Sequence, residues 1–276
     1  MSYGARSQTA TVLTNGNVSI AGGHTLSTYF RNTALYVFST QTWTTPSYMN
    51  SNRSYHTASI LTNGKILIAA GYNGGNMKSA EQYDSSTGVW TTIANMNIAR
   101  YSHSASVLAN GKVLVAGGQT GSVLSSSELH DSSTVVWTST GNMNTARVGH
   151  TASVLPNGKV LVAGGNDGST YFKSAELYDP STGMWTSTGN LNYVRNVHTA
   201  PLLTNGKVLI TGGYNGSKYL ASTELYDLST GTWTIDTNMN AIRGYHTASV
   251  LTNGNVLITG GQGDSGYLNS VELYKP

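Results

Sequence analysis

Short apolar runs recur along the chain at nearly constant spacing. A typical run, Val113-Leu114-Val115-Ala116, follows an Asn-Gly dipeptide and ends in a Gly-Gly pair. Asn-Gly between apolar segments is typical of a tight hairpin turn. Consecutive apolar positions predict a strand that is buried on both faces. The Asn-Gly turns lie at 15–16, 63–64, 110–111, 157–158, 205–206 and 253–254.

Each run belongs to a longer repeat. A His-Ser/Thr-Ala segment precedes the Asn-Gly turn, and a variable loop, a strand such as Glu176-Leu177-Tyr178-Asp179, a Ser-Thr-Gly turn and a tryptophan-bearing strand follow it. We name these four strands a, b, c and d. Four short strands per repeat without a helical period predict an all-β fold, a six-bladed β-propeller of four-stranded antiparallel blades. We expect one domain over 1–276, with blades at about 1–48, 49–95, 96–142, 143–190, 191–238 and 239–276.

The sixth repeat stops after strand c, at Val271–Pro276. We therefore expect a last blade that lacks its own fourth strand, either left with three strands or completed by another chain. The open edge from Ser270 to Tyr274 favours self-association, because an unpaired strand edge is a template for pairing.

Together these motifs resemble the kelch-repeat family over the whole chain. The resemblance rests on the Gly-Gly pair, the Glu-Leu-Tyr-Asp strand, the tryptophan that follows it and an Arg-x-x-His opening such as Arg147 to His150. It implies a β-propeller that acts as a binding scaffold for a protein, peptide or glycan ligand, with no cofactor and no catalysis.

Composition excludes several other classes. The 276 residues are 38% hydrophobic and 10% charged, which is enough for a large core, and no residue is a cysteine. Disulfides, thiolate zinc sites and cysteine nucleophiles are thereby excluded. The 15 basic and 12 acidic residues form no basic cluster, so we expect no nucleic-acid partner. Without a long apolar run or an apolar stretch after Met1, we expect a soluble protein with no membrane span and no signal peptide, in an undetermined compartment.

One alternative is an oxidase. Arg53-Ser54-Tyr55-His56-Thr57 and Arg243-Gly244-Tyr245-His246-Thr247 resemble the copper-ligand stretch of the galactose oxidase family, which also has kelch-type blades. That family's cofactor requires a tyrosine crosslinked to a cysteine, and this chain has none. We therefore do not expect an enzyme of this kind.

The repeated histidines have two interpretations. They stand at one position of successive repeats, and Gln8 takes their place in the first repeat. They either gather at the mouth of a central channel, where with neighbouring tyrosines they bind a ligand, a divalent metal or an anion, or they hold the start of strand a to the backbone. The candidate residues at this mouth are Gln8, His56, His103, His150, His198, His246, Tyr55 and Tyr245.

The loops between strands b and c form the second candidate site. They differ from repeat to repeat, whereas the turns at the other end of each blade hardly vary, and binding usually resides on variable loops of a rigid scaffold. We call these ends the loop end and the turn end. The alternatives are tyrosines that merely pack on the rim, or a regular scaffold, natural or engineered, with no ligand. The candidate loop residues are Tyr72, Asp167, Tyr171, Tyr214, Tyr219 and Tyr267.

Charged residues of opposite sign also repeat at the loop end. An Arg precedes the histidine position by three residues, and a Glu opens strand c. The first repeat lacks both, with Ala5 and Ala34 in their places, which favours pairing within one blade. We expect the glycine pair at the end of strand b to leave room for this contact. The expected pairs are Arg53 with Glu81, Arg100 with Glu128, Arg147 with Glu176, Arg195 with Glu224 and Arg243 with Glu272.

Overall fold

The computed structural model describes residues 5–276, and strands are the only regular elements longer than a turn in this range. Residues 1–4, which the repeat assigns to the first blade, lie outside the described part, as does the start of the N-terminal stretch considered for a signal peptide. Within 5–276 there is no helix with the length and hydropathy needed to cross a bilayer. The chain divides into two compact units, residues 1–122 with 126–140 and residues 123–125 with 141–276.

The first unit holds blades 1 to 3, and the antiparallel strands of each blade pair in chain order. Blade 1 contains β1 (Thr9–Val12), β2 (Val18–Ala21), β3 (Thr33–Val37) and β4 (Thr42–Thr44). Blade 2 contains β5 (Thr57–Ile60), β6 (Ile66–Tyr72), β7 (Asn76–Asp84) and β8 (Val89–Ile93). Blade 3 contains β9 (Ser104–Val107), β10 (Val113–Ala116), β13 (Ser127–Asp131) and β14 (Val136–Thr140), with β11 (Gln119–Thr120) and β12 (Ser122–Val123) in its loop.

The second unit holds blades 4 to 6. Blade 4 contains β15 (Thr151–Val154), β16 (Val160–Ala163), β17 (Ala175–Asp179) and β18 (Met184–Thr188). Blade 5 contains β19 (Val208–Thr211), β20 (Thr223–Asp227) and β21 (Thr232–Asp236). Blade 6 contains β22 (Thr247–Val250), β23 (Val256–Thr259) and β26 (Val271–Tyr274), with a loop hairpin of β24 (Gln262–Gly263) and β25 (Gly266–Tyr267). The six-bladed all-β propeller class that the repeat predicts is confirmed.

Strand a of blade 5 is interrupted. Only Thr199 and Leu202 bridge to the neighbouring strand, opposite Thr211 and Val208. Between them lies Pro201, where blade 1 has threonine and blades 2, 3, 4 and 6 have serine. Proline has no N–H to donate to a ladder, so the strand is broken there although the chain follows the same path.

Blade 6 ends at its third strand. Its sheet has the order β22-β23-β26, and within residues 5–276 no strand pairs with the outer edge of β26. Within the described residues the last blade therefore has three strands, as the sequence predicts.

The core lies between successive blades. Strand b is fully buried in β10, β16 and β19, because both of its faces contact other elements. In the cluster between blades 4 and 5, Leu155 and Leu161 of blade 4 pack against Val208, Ile210 and Trp233 of blade 5. The consecutive apolar residues of strand b follow from this two-sided burial.

Candidate binding face

An Arg and a Glu of the same blade lie together at the loop end of blades 2 to 6. The Nη2 of Arg147 lies 2.7 Å from Oε1 of Glu176, and the side chains are 0% and 2% exposed. The corresponding distances are 2.6 Å for Arg53–Glu81, 3.0 Å for Arg100–Glu128, 2.7 Å for Arg195–Glu224 and 2.7 Å for Arg243–Glu272.

Further hydrogen bonds surround each pair. Glu176 also accepts the backbone N–H of Asn144 at 2.6 Å and of Thr145 at 3.1 Å. Nη1 of Arg147 donates to the carbonyls of Gly164 at 2.7 Å and Ser174 at 3.0 Å. Burial lowers the pKa of Arg147, and the hydrogen bond and charge of Glu176 raise it. The backbone partners were not anticipated; the recurring Met/Leu-Asn-x-x-Arg segment is their signal in the sequence.

The glycine pairs have a role besides the expected one. A Cβ on Gly164 would lie 2.4 Å from the carbonyl oxygen of Arg195 in the next blade, and one on Gly165 would lie 2.8 Å from that of Val148. Both glycines have positive φ. The two glycines therefore allow the backbone carbonyls of Arg195 and Val148 to approach closely. Gly164 also contributes to the ion pair, because its carbonyl accepts a hydrogen bond from Arg147.

The repeated histidines link neighbouring blades through side chains. Nε2 of His198 lies 2.9 Å from Oγ1 of Thr151, which opens strand a of the preceding blade. His198 is 6% exposed, and burial, the charge of Arg195 and two further histidines hold its pKa well below the ordinary value. Gln8 is half-buried in the first blade. The equivalent distances are 3.0 Å for His56–Thr9, 2.9 Å for His103–Thr57 and 3.1 Å for His246–Thr199.

These contacts fit the interpretation of the histidines as residues that hold strand a in place. Their partners are threonine hydroxyls, which the sequence did not suggest. The described residues contain no group of three or more His, Asp or Glu placed to hold a metal ion.

The residue before each histidine adopts a left-handed conformation. The φ angles are 54° at Tyr55, 52° at Ser102, 48° at Val197 and 56° at Tyr245. The N–H of Tyr245 donates to the carbonyl of Val197 at 2.9 Å, one blade earlier, and Ser102 donates to Tyr55 at 3.0 Å in the same way. We call this the backbone ladder. Left-handed non-glycine residues are uncommon and cluster at functional sites.

The ladder brings Tyr55 into an aromatic cluster of the first unit. Its ring centroid lies 5.0 Å from that of His24 and 6.2 Å from that of Tyr101. Tyr72 lies 5.4 Å from Tyr101 and 5.6 Å from Tyr29, and Tyr55 is 39% exposed. We call these five rings the first aromatic cluster. Sequence reasoning named Tyr55 and Tyr72 but missed His24, Tyr29 and Tyr101.

A second aromatic cluster lies in the second unit. Tyr214 contacts Tyr171 and Tyr219, with ring centroids 5.8 Å and 5.1 Å apart. Burial raises the pKa of Tyr219, and nearby Tyr245 and Tyr267 raise it further. Tyr245 is 65% exposed and Tyr267 is 84% exposed. We call these five tyrosines the second aromatic cluster. It combines loop residues with a residue of the backbone ladder.

Some predicted loop residues are placed differently from expectation. Tyr72 is the last residue of β6 and Tyr267 the last of β25, so both belong to strands that extend into the loop region. Asp167 is exposed and caps its own turn, accepting the N–H of Ser169 at 2.9 Å and of Thr170 at 2.7 Å. These bonds lower its pKa. They give Asp167 a local role in shaping its turn.

Repeated four-stranded blades with a glycine pair and a buried Arg–Glu pair define a kelch-type β-propeller. Residues 95–234, just over half of the chain, match the KLHDC2/KLHL20/DRC7 Kelch-repeats domain, and residues 53–97 match the Kelch motif. The chain belongs to the kelch-repeat family. Kelch-repeat domains are typically non-enzymatic scaffolds that bind proteins. A search of the curated proteins found no match.

Proposed function

We propose that this chain is a non-enzymatic interaction scaffold that binds a peptide segment of a protein partner at its loop ends, through the two aromatic clusters. The observation that carries the proposal is the first aromatic cluster, where Tyr55, Tyr72 and Tyr101 from two blades meet through ring contacts. Such a cluster is not required by the repeat, because Ser102 and Gly149 occupy the ladder position of Tyr55 in other blades.

Tyrosines suit this role physically. Each offers a large ring with few rotatable bonds and a hydroxyl that hydrogen bonds to a ligand, so little conformational entropy is lost on binding. The rings also restrain one another, since centroid distances of 5–6 Å are those of favourable aromatic pairs. Because the tyrosine rings are only partly buried, part of each ring surface remains accessible to a partner.

The test uses a displayed random-peptide library selected on the purified protein, with a glycan array in parallel. Selected peptides should lose most of their affinity on Tyr55→Ala or Tyr245→Ala, which remove ring area from one cluster each. Phe38→Ala is the control, because Phe38 is 69% exposed and lies at the turn end. Equal binding by all three variants, or glycan binding without peptide binding, would contradict the proposal.

A further inference from the structure

Each of the first five blades pairs its tryptophan with one aromatic residue of strand c. In blade 5 the pair is Tyr226 and Trp233, which stand opposite each other in β20 and β21. The given sequence contains five tryptophans, one in each of blades 1 to 5. The centroid distances are 5.3 Å for Tyr36–Trp43, 4.9 Å for Tyr83–Trp90, 4.9 Å for His130–Trp137, 5.2 Å for Tyr178–Trp185 and 4.9 Å for Tyr226–Trp233.

Blade 6 keeps the aromatic residue of this pair. Tyr274 occupies the repeat position of Tyr226, and its hydroxyl donates to the Asp236 carboxylate, as the Tyr226 hydroxyl pairs with Thr188 one blade earlier. Burial and this bond raise the pKa of Tyr274. The tyrosine is thus held as in blade 5, and no tryptophan of residues 5–276 packs on its ring.

A pocket of about 310 Å³ lies where that indole would be, lined by Tyr274, Leu273, Ile258, Met239 and Thr237. Pockets of this size accept small ligands and single large side chains. We call it the tryptophan slot.

In blades 4 and 5 a backbone carbonyl receives the indole N–H, and the equivalent carbonyl, that of Thr237, also accepts from Oγ1 of Thr223 at 2.8 Å. Trp185 Nε1 donates to the carbonyl of Gly141 at 3.0 Å, and Trp233 Nε1 to that of Gly189 at 2.9 Å. Each acceptor is the residue just after strand d of the preceding blade, and Thr237 holds that position before blade 6. Thr237 lines the slot.

The strand edge beside the slot carries exposed apolar side chains. Val271 is 58% exposed and Leu273 is 48% exposed, whereas Thr223, at the position of Val271 in blade 5, is fully buried. The other edge of β26 is paired with β23 from Val271 to Tyr274. An unpaired edge with apolar side chains is suited to accept an extended segment by strand addition.

We infer that blade 6 binds an extended, tryptophan-bearing segment of a separate polypeptide as its fourth strand. The segment runs antiparallel to β26 with its tryptophan opposite Tyr274 and a threonine-like residue opposite Leu273, the register of Trp233 and Thr234 in blade 5. Its indole fills the tryptophan slot and donates to the Thr237 carbonyl. This inference goes beyond the proposed function and is independent of the aromatic clusters.

A labelled synthetic peptide tests it. The peptide copies residues 180–189, Pro-Ser-Thr-Gly-Met-Trp-Thr-Ser-Thr-Gly, which form the turn and fourth strand of blade 4. Its fluorescence anisotropy should rise on titration with the full chain and the peptide should raise the melting temperature, because a ligand of the native state stabilises it. The same peptide with alanine for tryptophan should bind at least ten-fold more weakly.

A chain variant provides the second control. Leu273→Glu puts a charge on the exposed edge and should weaken peptide binding by a similar factor, whereas Val12→Glu, at a 64% exposed site in blade 1, should not. No anisotropy change at millimolar protein, or equal binding of both peptides, would overturn the inference. So would concentration-dependent self-association that excludes the peptide, since a second copy of the chain would then occupy the edge. Loss of library peptides with Tyr55→Ala leaves this result unaffected, so the two proposals fail separately.

Discussion

In blades 2 to 5 the loop end and the turn end each carry one ion pair, and the two pairs lie in opposite environments. At the loop end, Arg147 and Glu176 are 0% and 2% exposed. At the turn end, Lys159 Nζ lies 3.0 Å from Asp179 Oδ2, with the side chains 37% and 27% exposed. Similar Lys–Asp pairs occur in blades 2, 3 and 5.

The buried Arg–Glu pair and the exposed Lys–Asp pair contribute differently to stability because their surroundings differ. Removal of two charges from water is offset best when their polar atoms find partners, and the Arg147–Glu176 pair has two backbone N–H groups and two carbonyls, while Nε of Arg147 has no hydrogen-bond partner among the described residues. The Asp179 carboxylate is held by its own turn: hydrogen bonds from Ser181, more than the contact with Lys159, lower its pKa to about 2. Repetition of a charged pair therefore does not establish its energetic importance; burial determines how much the loss of one partner costs.

The largest expected effect tests the buried pair. Arg147→Met should destabilise the fold by about 3–5 kcal/mol, because it leaves the Glu176 carboxylate buried without its cation. Adding Glu176→Met should cost less than the sum of the single changes, since the pair acts as a unit. Urea unfolding of the four proteins measures this, and strictly additive losses would refute the coupling.

A glycine comparison sharpens the contrast between the two ends. Gly158 has a φ of 80° at the turn end with no atom near its Cβ position, whereas a Cβ on Gly164 would meet the Arg195 carbonyl at 2.4 Å. Gly158→Ala should cost about 1–2 kcal/mol for the left-handed backbone alone. Gly164→Ala should cost at least twice as much in the same unfolding assay. Equal losses would mean that the blades move apart to accept the methyl group.

As the pH falls, interactions at the loop end should lose stability at a higher pH than those at the turn end. Burial lowers the pKa of His56 to about 3 and that of His246 to about 4, so these imidazoles stay neutral in the folded state while the unfolded chain takes up protons. Their contribution is present in full above about pH 6.5 and falls by about 2 kcal/mol each by about pH 5. The low pKa of Asp84, about 2, leaves the turn end intact in this range.

Unfolding measured at neutral and mildly acidic pH checks this order. His56→Gln, which copies Gln8 of the first blade, should reduce the pH dependence. An unchanged dependence in this variant would show that other groups are responsible.

The smallest effect is expected at the turn end. Lys159→Ala should leave the unfolding midpoint within experimental scatter, because exposed ion pairs are screened by water and salt. The control is Lys173→Ala, another lysine of the same blade without an assigned ion pair. A clear loss of stability in Lys159→Ala but not in Lys173→Ala, if high salt abolished it, would contradict the distinction between the two ends.

The sequence repeat predicts much of this arrangement, because each strand and turn recurs in five or six repeats. The Arg–Glu register followed from Ala5 and Ala34, which show that both charges are missing together from one blade. The aromatic clusters could be derived in this way only in part. Ser27-Thr28-Tyr29-Phe30 recurs as Ser169-Thr170-Tyr171-Phe172, and Tyr29 contacts Tyr72 as Tyr171 contacts Tyr214. The contact of Tyr101 with Tyr72 has no counterpart in the repeat, because other repeats have no tyrosine at the position of Tyr101. The tryptophan slot was likewise visible only as a missing strand.

The backbone ladder has a consequence for how such a surface changes over time. Its hydrogen bonds join main-chain atoms only, so they form whichever side chain stands at each position. The six equivalent positions carry serine, tyrosine, serine, glycine, valine and tyrosine on closely similar left-handed backbone. Recognition at these positions can therefore diverge by single substitutions while the scaffold stays constant, which separates the evolution of specificity from the evolution of the fold.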